Sequence, residues 1–151
     1  MLYSIYPIRT LGNGGDTMET VSELEQFQNF IDELILRNKS ILDQMTKLQD
    51  ASARLNRTLS KSATTCGCIK LNIVKQQLDF SHLSSPEELK SLLSTHIEGY
   101  PCPECNEAIE KEMGRVLFYL AALANTLGIS LSSVLENEKK HTQLLGNYSL
   151  K

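Results

Sequence analysis

The chain has 151 residues, a formal net charge of −3 at pH 7 and 41 % hydrophobic residues. That length favours one domain with a buried core, and no stretch approaches the roughly 20 apolar residues that cross a bilayer. Because charges of both signs are mixed along the chain, we expect a cytoplasmic protein that binds neither nucleic acid nor membranes.

Residues 1–17 contain the glycine-rich run Gly12-Asn13-Gly14-Gly15 and lack the continuous apolar stretch of a secretion signal. We expect these residues to form a disordered lead. Met18 rather than Met1 is then a candidate for the true start, and residues 18–151 form a single helical domain.

Two helices are expected in the first half of this domain. Ser22 and Glu25 have the spacing of a capping box. The apolar residues that follow recur at helical spacing: Leu24, Phe27, Ile31, Leu34 and Ile35. A second helix is expected to begin near Ser40 after a break at residues 38–40, with Asp43 completing another capping box. Its apolar row steps by four and three in alternation, as in a helix packed along a neighbour: Ile41, Met45, Leu48, Ser52, Leu55 and Leu59.

The pattern is weakest at residues 62–84, where β-branched and other apolar residues after Cys68 favour a short strand or an extended loop. Ser85 and Pro86 then predict the start of a short helix, because a polar cap precedes a proline at the first helical position. We expect Gly99 to end this helix. Its apolar face is predicted to be buried: Leu89, Leu92, Leu93 and Ile97.

Two further helices are predicted after the last cysteine. The first carries the longest apolar stripe of the chain and is closed by Gly128. Its members are Ile109, Met113, Val116, Leu117, Leu120, Ala121 and Ala124. The last helix is expected to begin at Ser130 and to stop at Gly146. The elements together predict an all-α bundle of about five helices, with a cysteine-bearing insertion over residues 62–105.

The four cysteines form two short pairs, Cys66-Gly67-Cys68 and Cys102-Pro103-Glu104-Cys105. Each pair can present two sulfurs to one tetrahedral ion, so the set predicts a structural Zn²⁺ site with no position open for water or substrate. C-x-C is rarer than C-x-x-C in such sites, and His96 is a candidate to replace one sulfur. Two alternatives stay open: thiol redox chemistry at Cys102 and Cys105, and cysteines without a special role.

Two segments of the chain carry a family resemblance. Residues 47–55 read KLQDASARL, and residues 113–125 read MGRVLFYLAALAN before Leu127-Gly128-Ile129. These segments resemble the MazG-like all-α nucleoside triphosphate pyrophosphohydrolases. In that family one helix carries K-L-x-E-E-x-x-E-L, and another begins with E-E-x-G-D and leads through an apolar stripe to a Gly-Ile or Gly-Leu turn.

The resemblance implies acidic motifs on facing helices, which hold Mg²⁺ for the hydrolysis of nucleoside triphosphates. At the motif positions of this chain only Asp50 and Glu112 are carboxylates. The other motif positions carry residues that do not bind Mg²⁺: Ala51, Arg54, Lys111 and Arg115. The two arginines are expected either to pair with the remaining acids or to bind phosphate without a metal.

Glu107 and Glu110 lie one turn apart near a helix start and are the other candidate acids. With Asp50 and Glu112 they would build a rearranged Mg²⁺ site in a working pyrophosphohydrolase, whereas the alternative for them is a solvated acidic face. The depleted motifs favour a non-catalytic or weakly active module that binds a nucleotide or a protein. The resemblance also implies a homo-oligomer, most simply a dimer.

Overall fold

The computed structural model describes residues 22–35, 39–76 and 92–145. Within these residues the chain forms four α-helices and two short strands. In chain order they are α1 (Glu23–Leu34), α2 (Ile41–Lys61), β1 (Ile69–Leu71), β2 (Ile97–Gly99), α3 (Pro103–Leu127) and α4 (Leu131–Leu145). The mostly helical architecture is confirmed. The expected lead at residues 1–17 and most of the short helix predicted from Ser85 lie outside the described residues.

Helix α1 begins with the predicted capping box. The Ser22 hydroxyl accepts a hydrogen bond from the backbone N–H of Glu25 at 3.3 Å, and the Glu25 carboxylate accepts one from the backbone N–H of Ser22 at 3.1 Å. Helix α2 is separate from α1, as predicted. Ser40 stands at its N-cap, but its side chain makes no capping hydrogen bond, so the second capping box is not formed.

Helices α2 and α3 form the most extensive contact between elements in the described part of the chain. The end of α2 meets the start of α3 at the cysteines, so the two helices run antiparallel. The residues of α2 that are buried are Gln44 and Ala51, followed by Ser62 just after the helix. The predicted apolar row therefore lies at the edge of this contact, and its members Ile41 and Met45 are exposed.

The apolar stripe predicted on α3 is also buried only in part. Ile109, Ala121 and Ala124 are buried, as expected. Met113, Leu117 and Leu120 are exposed, contrary to the prediction. Small side chains occupy the buried positions near the end of α3, and small side chains allow neighbouring helices to approach closely.

The hydrophobic core lies where α1 packs on the second half of α3. Ile31 is buried there against Ala121 and Ala122. Partly buried apolar side chains surround them: Phe27, Ile35, Phe118 and Leu131. This cluster joins three of the four helices, because Leu131 is the first residue of α4.

A buried amide fastens α1 to the turn between α3 and α4. The side-chain amide of Gln28 donates to Asn125 Oδ1 at 2.8 Å and to the carbonyl oxygen of Ile129 at 2.7 Å. Its oxygen accepts from the backbone N–H of Leu131 at 2.8 Å, and Asn125 Nδ2 donates back to the Gln28 carbonyl at 2.9 Å. A buried polar side chain with all its hydrogen bonds made fixes one arrangement of the elements it joins.

The strands β1 and β2 form an antiparallel ladder in which Ile69 faces Gly99 and Leu71 faces Ile97. Strand β1 confirms the extended segment expected after Cys68. Strand β2 was not predicted, because Gly99 was expected to end a helix. The predicted burial of Leu92, Leu93 and Ile97 is also wrong, since all three side chains are exposed.

No single helix in the described ranges is long and apolar enough to cross a membrane. Helices α3 and α4 pass that test only when they are taken together, and their axes are bent by 104° at the junction.

Candidate metal centre

Each cysteine pair sits at the end of a helix. Helix α2 continues into a π-helical turn, Ser62–Cys66, that ends at Gly67 with φ +74°. This left-handed conformation is readily adopted by glycine, and it turns the chain so that Cys68 directly precedes β1. Cys102 is the N-cap residue of α3, and Pro103 occupies the first turn.

The β-ladder brings the two pairs together. Strand β1 begins right after Cys68, and β2 ends three residues before Cys102. Pairing of Ile69 with Gly99 therefore holds the two cysteine pairs side by side. The long connection between them does not need to be rigid for this, because the ladder closes it next to the cysteines.

The four sulfur atoms all lie within 4.8 Å of one another. Cys66 Sγ and Cys102 Sγ are 3.7 Å apart. A tetrahedral Zn²⁺ with Zn–S bonds of about 2.3 Å places its sulfurs about 3.8 Å apart, whereas a disulfide requires about 2.05 Å. The four cysteines are free thiols in an arrangement that one tetrahedral ion fits. The predicted ligand set Cys66, Cys68, Cys102 and Cys105 is thus brought together.

Gly99 is part of this site although it bears no ligand. Its φ is +82°, and a Cβ at this position would lie 2.9 Å from the carbonyl oxygen of Cys68. That distance is shorter than van der Waals contact, so a larger residue would push β2 away from the first cysteine pair. The sequence offered one signal for this role, since glycine is common where backbones approach closely.

The pKa values of the thiols differ with their hydrogen bonds. The pKa of Cys68 is lowered, first because its sulfur is hydrogen-bonded to the backbone of Cys102. For Cys102, the backbone of Cys105 favours the thiolate, but the carboxylate of Glu104 and the neighbouring thiols oppose ionisation and bring the pKa to about 12. A divalent cation would let all four thiols ionise together, because its charge offsets the repulsion between thiolates.

His96 is not among the clustered ligands. Its Nδ1 lies 3.1 Å from the carbonyl oxygen of Asn72, and its Nε2 lies 3.0 Å from Nε2 of Gln76. His96 also has a left-handed φ of 57°. The expectation that this histidine replaces one sulfur is therefore not met, and its ring instead joins the segment after β1 to the residue just before β2.

The structure brings only some of the carboxylates of the implied Mg²⁺ site together. Asp50 and Glu112 meet at a cavity of about 340 Å³ between α2 and α3. The full lining is Asp50, Ala53, Arg54, Arg57, Thr58 and Glu112. Glu107 and Glu110 are exposed and do not line this cavity. The structure therefore brings together two of the four candidate acids.

Each carboxylate of the cavity forms an ion pair with an arginine. Arg54 Nε lies 2.9 Å from Asp50 Oδ2, and Arg115 lies 2.5 Å from Glu112 Oε1. The Asp50 pair is about half exposed, whereas the Glu112 side chain is only 14 % exposed. Each of these cations neutralises one carboxylate and repels a divalent ion.

Arg57 and Thr58 were not singled out from the sequence. They lie three and four residues after Arg54, so the helical repeat places them on the face of α2 that carries Asp50 and Arg54. Arg57 forms no hydrogen bond or ion pair with the part of the chain that the structure describes. The cavity therefore presents one cation that is not neutralised by a neighbour.

Comparison of the chain with protein-family models, with curated proteins and with solved structures finds no match in any of the three. The resemblance to the MazG-like family remains a prediction that rests on the two segments quoted above.

Proposed function

We propose that this chain is a helical binding module in which four cysteines hold one structural Zn²⁺. The observation that carries the proposal is the cluster of four sulfurs within 4.8 Å. Four thiolates fill the coordination sphere of a tetrahedral ion, so the metal would stabilise the fold without a free position for catalysis. A reducing compartment such as the cytoplasm suits this role, because it keeps the thiols available to the metal.

Zinc is favoured over iron as the resident ion. Tetrahedral sites of four sulfurs take either metal. Zinc has no redox chemistry, and the four cysteines tie together the ends of two helices, as the ligands of a structural zinc site do. A coloured protein would indicate iron, whereas zinc gives no visible absorption.

The test is metal analysis of the full chain, produced without an affinity tag. We expect about one zinc per chain, with loss of zinc in Cys105→Ser and a lower melting temperature of the wild-type protein in chelator. A protein without metal would overturn the proposal. If such a protein also formed a reversible disulfide between Cys102 and Cys105, the alternative of thiol redox chemistry would replace it.

We also propose that α2 and α3 correspond to the motif helices of the MazG-like family, in a form that is non-catalytic or weakly active. Support comes from Asp50 and Glu112, which line one cavity, and from the arginines that neutralise them. The competing hypothesis is a working Mg²⁺-dependent pyrophosphohydrolase. Nucleoside triphosphates offered with Mg²⁺ or Mn²⁺ separate the two: we expect no pyrophosphate release. Release that disappears in Asp50→Ala or Glu112→Ala would establish the enzyme.

Binding of a nucleotide without metal is the second candidate function. It is favoured by Arg57, which lines the cavity beside Thr58 and has no hydrogen bond or ion pair among the described residues. Guanidinium and hydroxyl groups are common ligands of phosphate. Calorimetric titration with ATP in the absence of Mg²⁺ tests this. We expect weak binding that is lost in Arg57→Ala and kept in Lys61→Ala, a matched cation that does not line the cavity.

A further inference from the structure

Among the four cysteines of the metal centre, Cys66 is the most accessible to solvent. It is exposed, whereas Cys68, Cys102 and Cys105 are half-buried. Cys66 is the last residue of the π-helical turn Ser62–Cys66, which follows the end of α2. Oxidation of a cysteine by a hydroperoxide is favoured by thiolate character and by access from solvent. Such an oxidant therefore reaches Cys66 most readily.

A sulfur of the other cysteine pair lies next to Cys66. Cys66 Sγ and Cys102 Sγ are 3.7 Å apart. Because a disulfide has an S–S distance of about 2.05 Å, these two atoms need to approach each other by only about 1.7 Å to form one. Cys68 Sγ instead contacts the carbonyl oxygen of Ser62 at 3.6 Å. Cys102 is thus the thiolate that is placed to attack Cys66 once Cys66 is oxidised.

The β-ladder keeps these two cysteines close whether or not a metal is bound. Strand β1 begins at Ile69, three residues after Cys66, and β2 ends at Gly99, three residues before Cys102. The two strands pair through backbone hydrogen bonds, which do not depend on an ion. Loss of the metal therefore leaves both sulfurs near each other. A disulfide between them would join the end of α2 to the start of α3, as the metal does.

We propose that Cys66 is a site of oxidation by hydroperoxides, and that Cys102 converts the oxidised sulfur to a disulfide with release of the zinc. This inference rests on the proposed metal centre, because the ion that is released is the one that the four cysteines hold. It differs from thiol redox chemistry within the C-x-x-C pair, since the new bond joins the first cysteine pair to the second. The centre would then respond to an oxidant by exchanging a metal for a covalent bond.

The reaction has two steps. In the first, the Cys66 thiolate attacks one oxygen of the hydroperoxide: an S–O bond forms, the O–O bond breaks, and hydroxide or alkoxide leaves, which gives a sulfenic acid. In the second, the Cys102 thiolate attacks the Cys66 sulfur: an S–S bond forms, the S–O bond breaks, and hydroxide leaves. The two sulfurs together lose two electrons, and the hydroperoxide gains them. Zinc is left with only Cys68 and Cys105 as ligands and dissociates.

Treatment of the zinc-loaded full chain with hydrogen peroxide tests the proposal. A chromogenic chelator measures the release of zinc, and mass spectrometry of peptides locates the disulfide after the remaining thiols have been alkylated. We expect release of about one zinc per chain together with a disulfide between Cys66 and Cys102. Reduction with an excess of dithiol, followed by addition of zinc, should restore the metal centre.

Two histidine variants form a matched pair, because a site of three cysteines and one histidine still holds zinc. Cys66→His removes the sulfur that is oxidised, and zinc release in peroxide should slow about tenfold or more. Cys68→His keeps both reacting sulfurs, so its rate of release should stay within about twofold of the wild type. In Cys102→His the sulfenic acid on Cys66 lacks its attacking thiolate, and a cyclic diketone should trap it.

A zinc-loaded chain that keeps its metal in peroxide would overturn this inference and leave the metal centre standing. Release of zinc with disulfides inside the pairs, Cys66–Cys68 or Cys102–Cys105, would do the same, and so would equal rates of release from Cys66→His and Cys68→His. A chain purified without zinc would overturn the metal centre as well. If a histidine variant does not bind zinc, the position of the disulfide in the wild-type protein decides the question by itself.

Discussion

The two ends of α3 are fixed by different chemistry. At its first turn, Cys102 and Cys105 meet Cys66 and Cys68 through weak contacts of their thiols, with Cys66 Sγ and Cys102 Sγ 3.7 Å apart. At its last turn, Asn125 exchanges hydrogen bonds with Gln28. The amides satisfy one another, whereas four thiols at this spacing could hold a cation. If the proposed metal is bound, the same helix has one end whose stability depends on an ion and one end whose stability does not.

Of the variants considered, Cys105→Ser should have the largest effect on the stability of the protein, and it acts at the cysteine end of α3. Removal of one ligand of a structural metal is expected to lower the free energy of unfolding by about 4 kcal/mol or more. The measurement is calorimetric unfolding with and without chelator. Chelator should lower the melting temperature of the wild type and leave that of the variant unchanged. An equal response of both proteins would show that the cysteine end does not depend on metal.

Gln28→Leu should have the next largest effect on stability, and it acts at the last turn of α3. It removes three side-chain hydrogen bonds and leaves Asn125 Oδ1, the carbonyl oxygen of Ile129 and the backbone N–H of Leu131 without this partner. The expected cost is about 2 to 4 kcal/mol in the free energy of unfolding. Denaturant unfolding measures this, and metal analysis should find zinc unchanged. Asn29→Leu, an exposed position on the same helix, serves as control. Loss of zinc in Gln28→Leu would mean that the two ends are coupled.

Gly99→Ala tests whether the ladder positions the cysteines. The left-handed φ alone is expected to cost about 1 to 2 kcal/mol, and the close approach to Cys68 adds to it. Gly67→Ala is the control, since Gly67 has a φ of +74° but no atom within 4 Å of the added Cβ. A competition assay for zinc should show weaker binding by Gly99→Ala than by Gly67→Ala. Equal affinities would refute a positioning role for β2.

Asp50→Asn should have the smallest effect. The Asp50–Arg54 pair is exposed on both sides, and such surface pairs contribute about 0.5 kcal/mol or less. Denaturant unfolding should therefore barely distinguish this variant from the wild type. A loss above about 1 kcal/mol would indicate that the charges of the cavity stabilise the α2–α3 pair.

Local signals account for what was predicted correctly. The capping box at Ser22, the stop at Gly128 and the two cysteine pairs depend on residues close in sequence, and the structure has each of them. Strand β2 was missed because it exists through pairing with β1, across a connection whose own pattern favours a helix. The local sequence pattern carries little information about pairing between segments that are distant in the chain.

Burial was harder to predict than helix position. Apolar spacing identified α2, but the spacing does not tell which flank of the helix meets a neighbour. Gln44 and Ser62 are buried at the contact, while Ile41 and Met45 are exposed. The exposed row is regular enough to predict a packing surface. It could not reveal from one sequence whether the surface packs within the chain or against another copy.

The register of β1 and β2 has a consequence for how this chain tolerates change. Ile69 is paired with Gly99 immediately beside the cysteines. The two strands therefore fix the distance between the cysteine pairs, whatever the length of the connection beyond them. The entropy of closing a loop grows only slowly with its length. Insertions or deletions between Leu71 and Ile97 should therefore leave the cysteine geometry intact, which makes this connection a natural point at which to graft a peptide or a second domain.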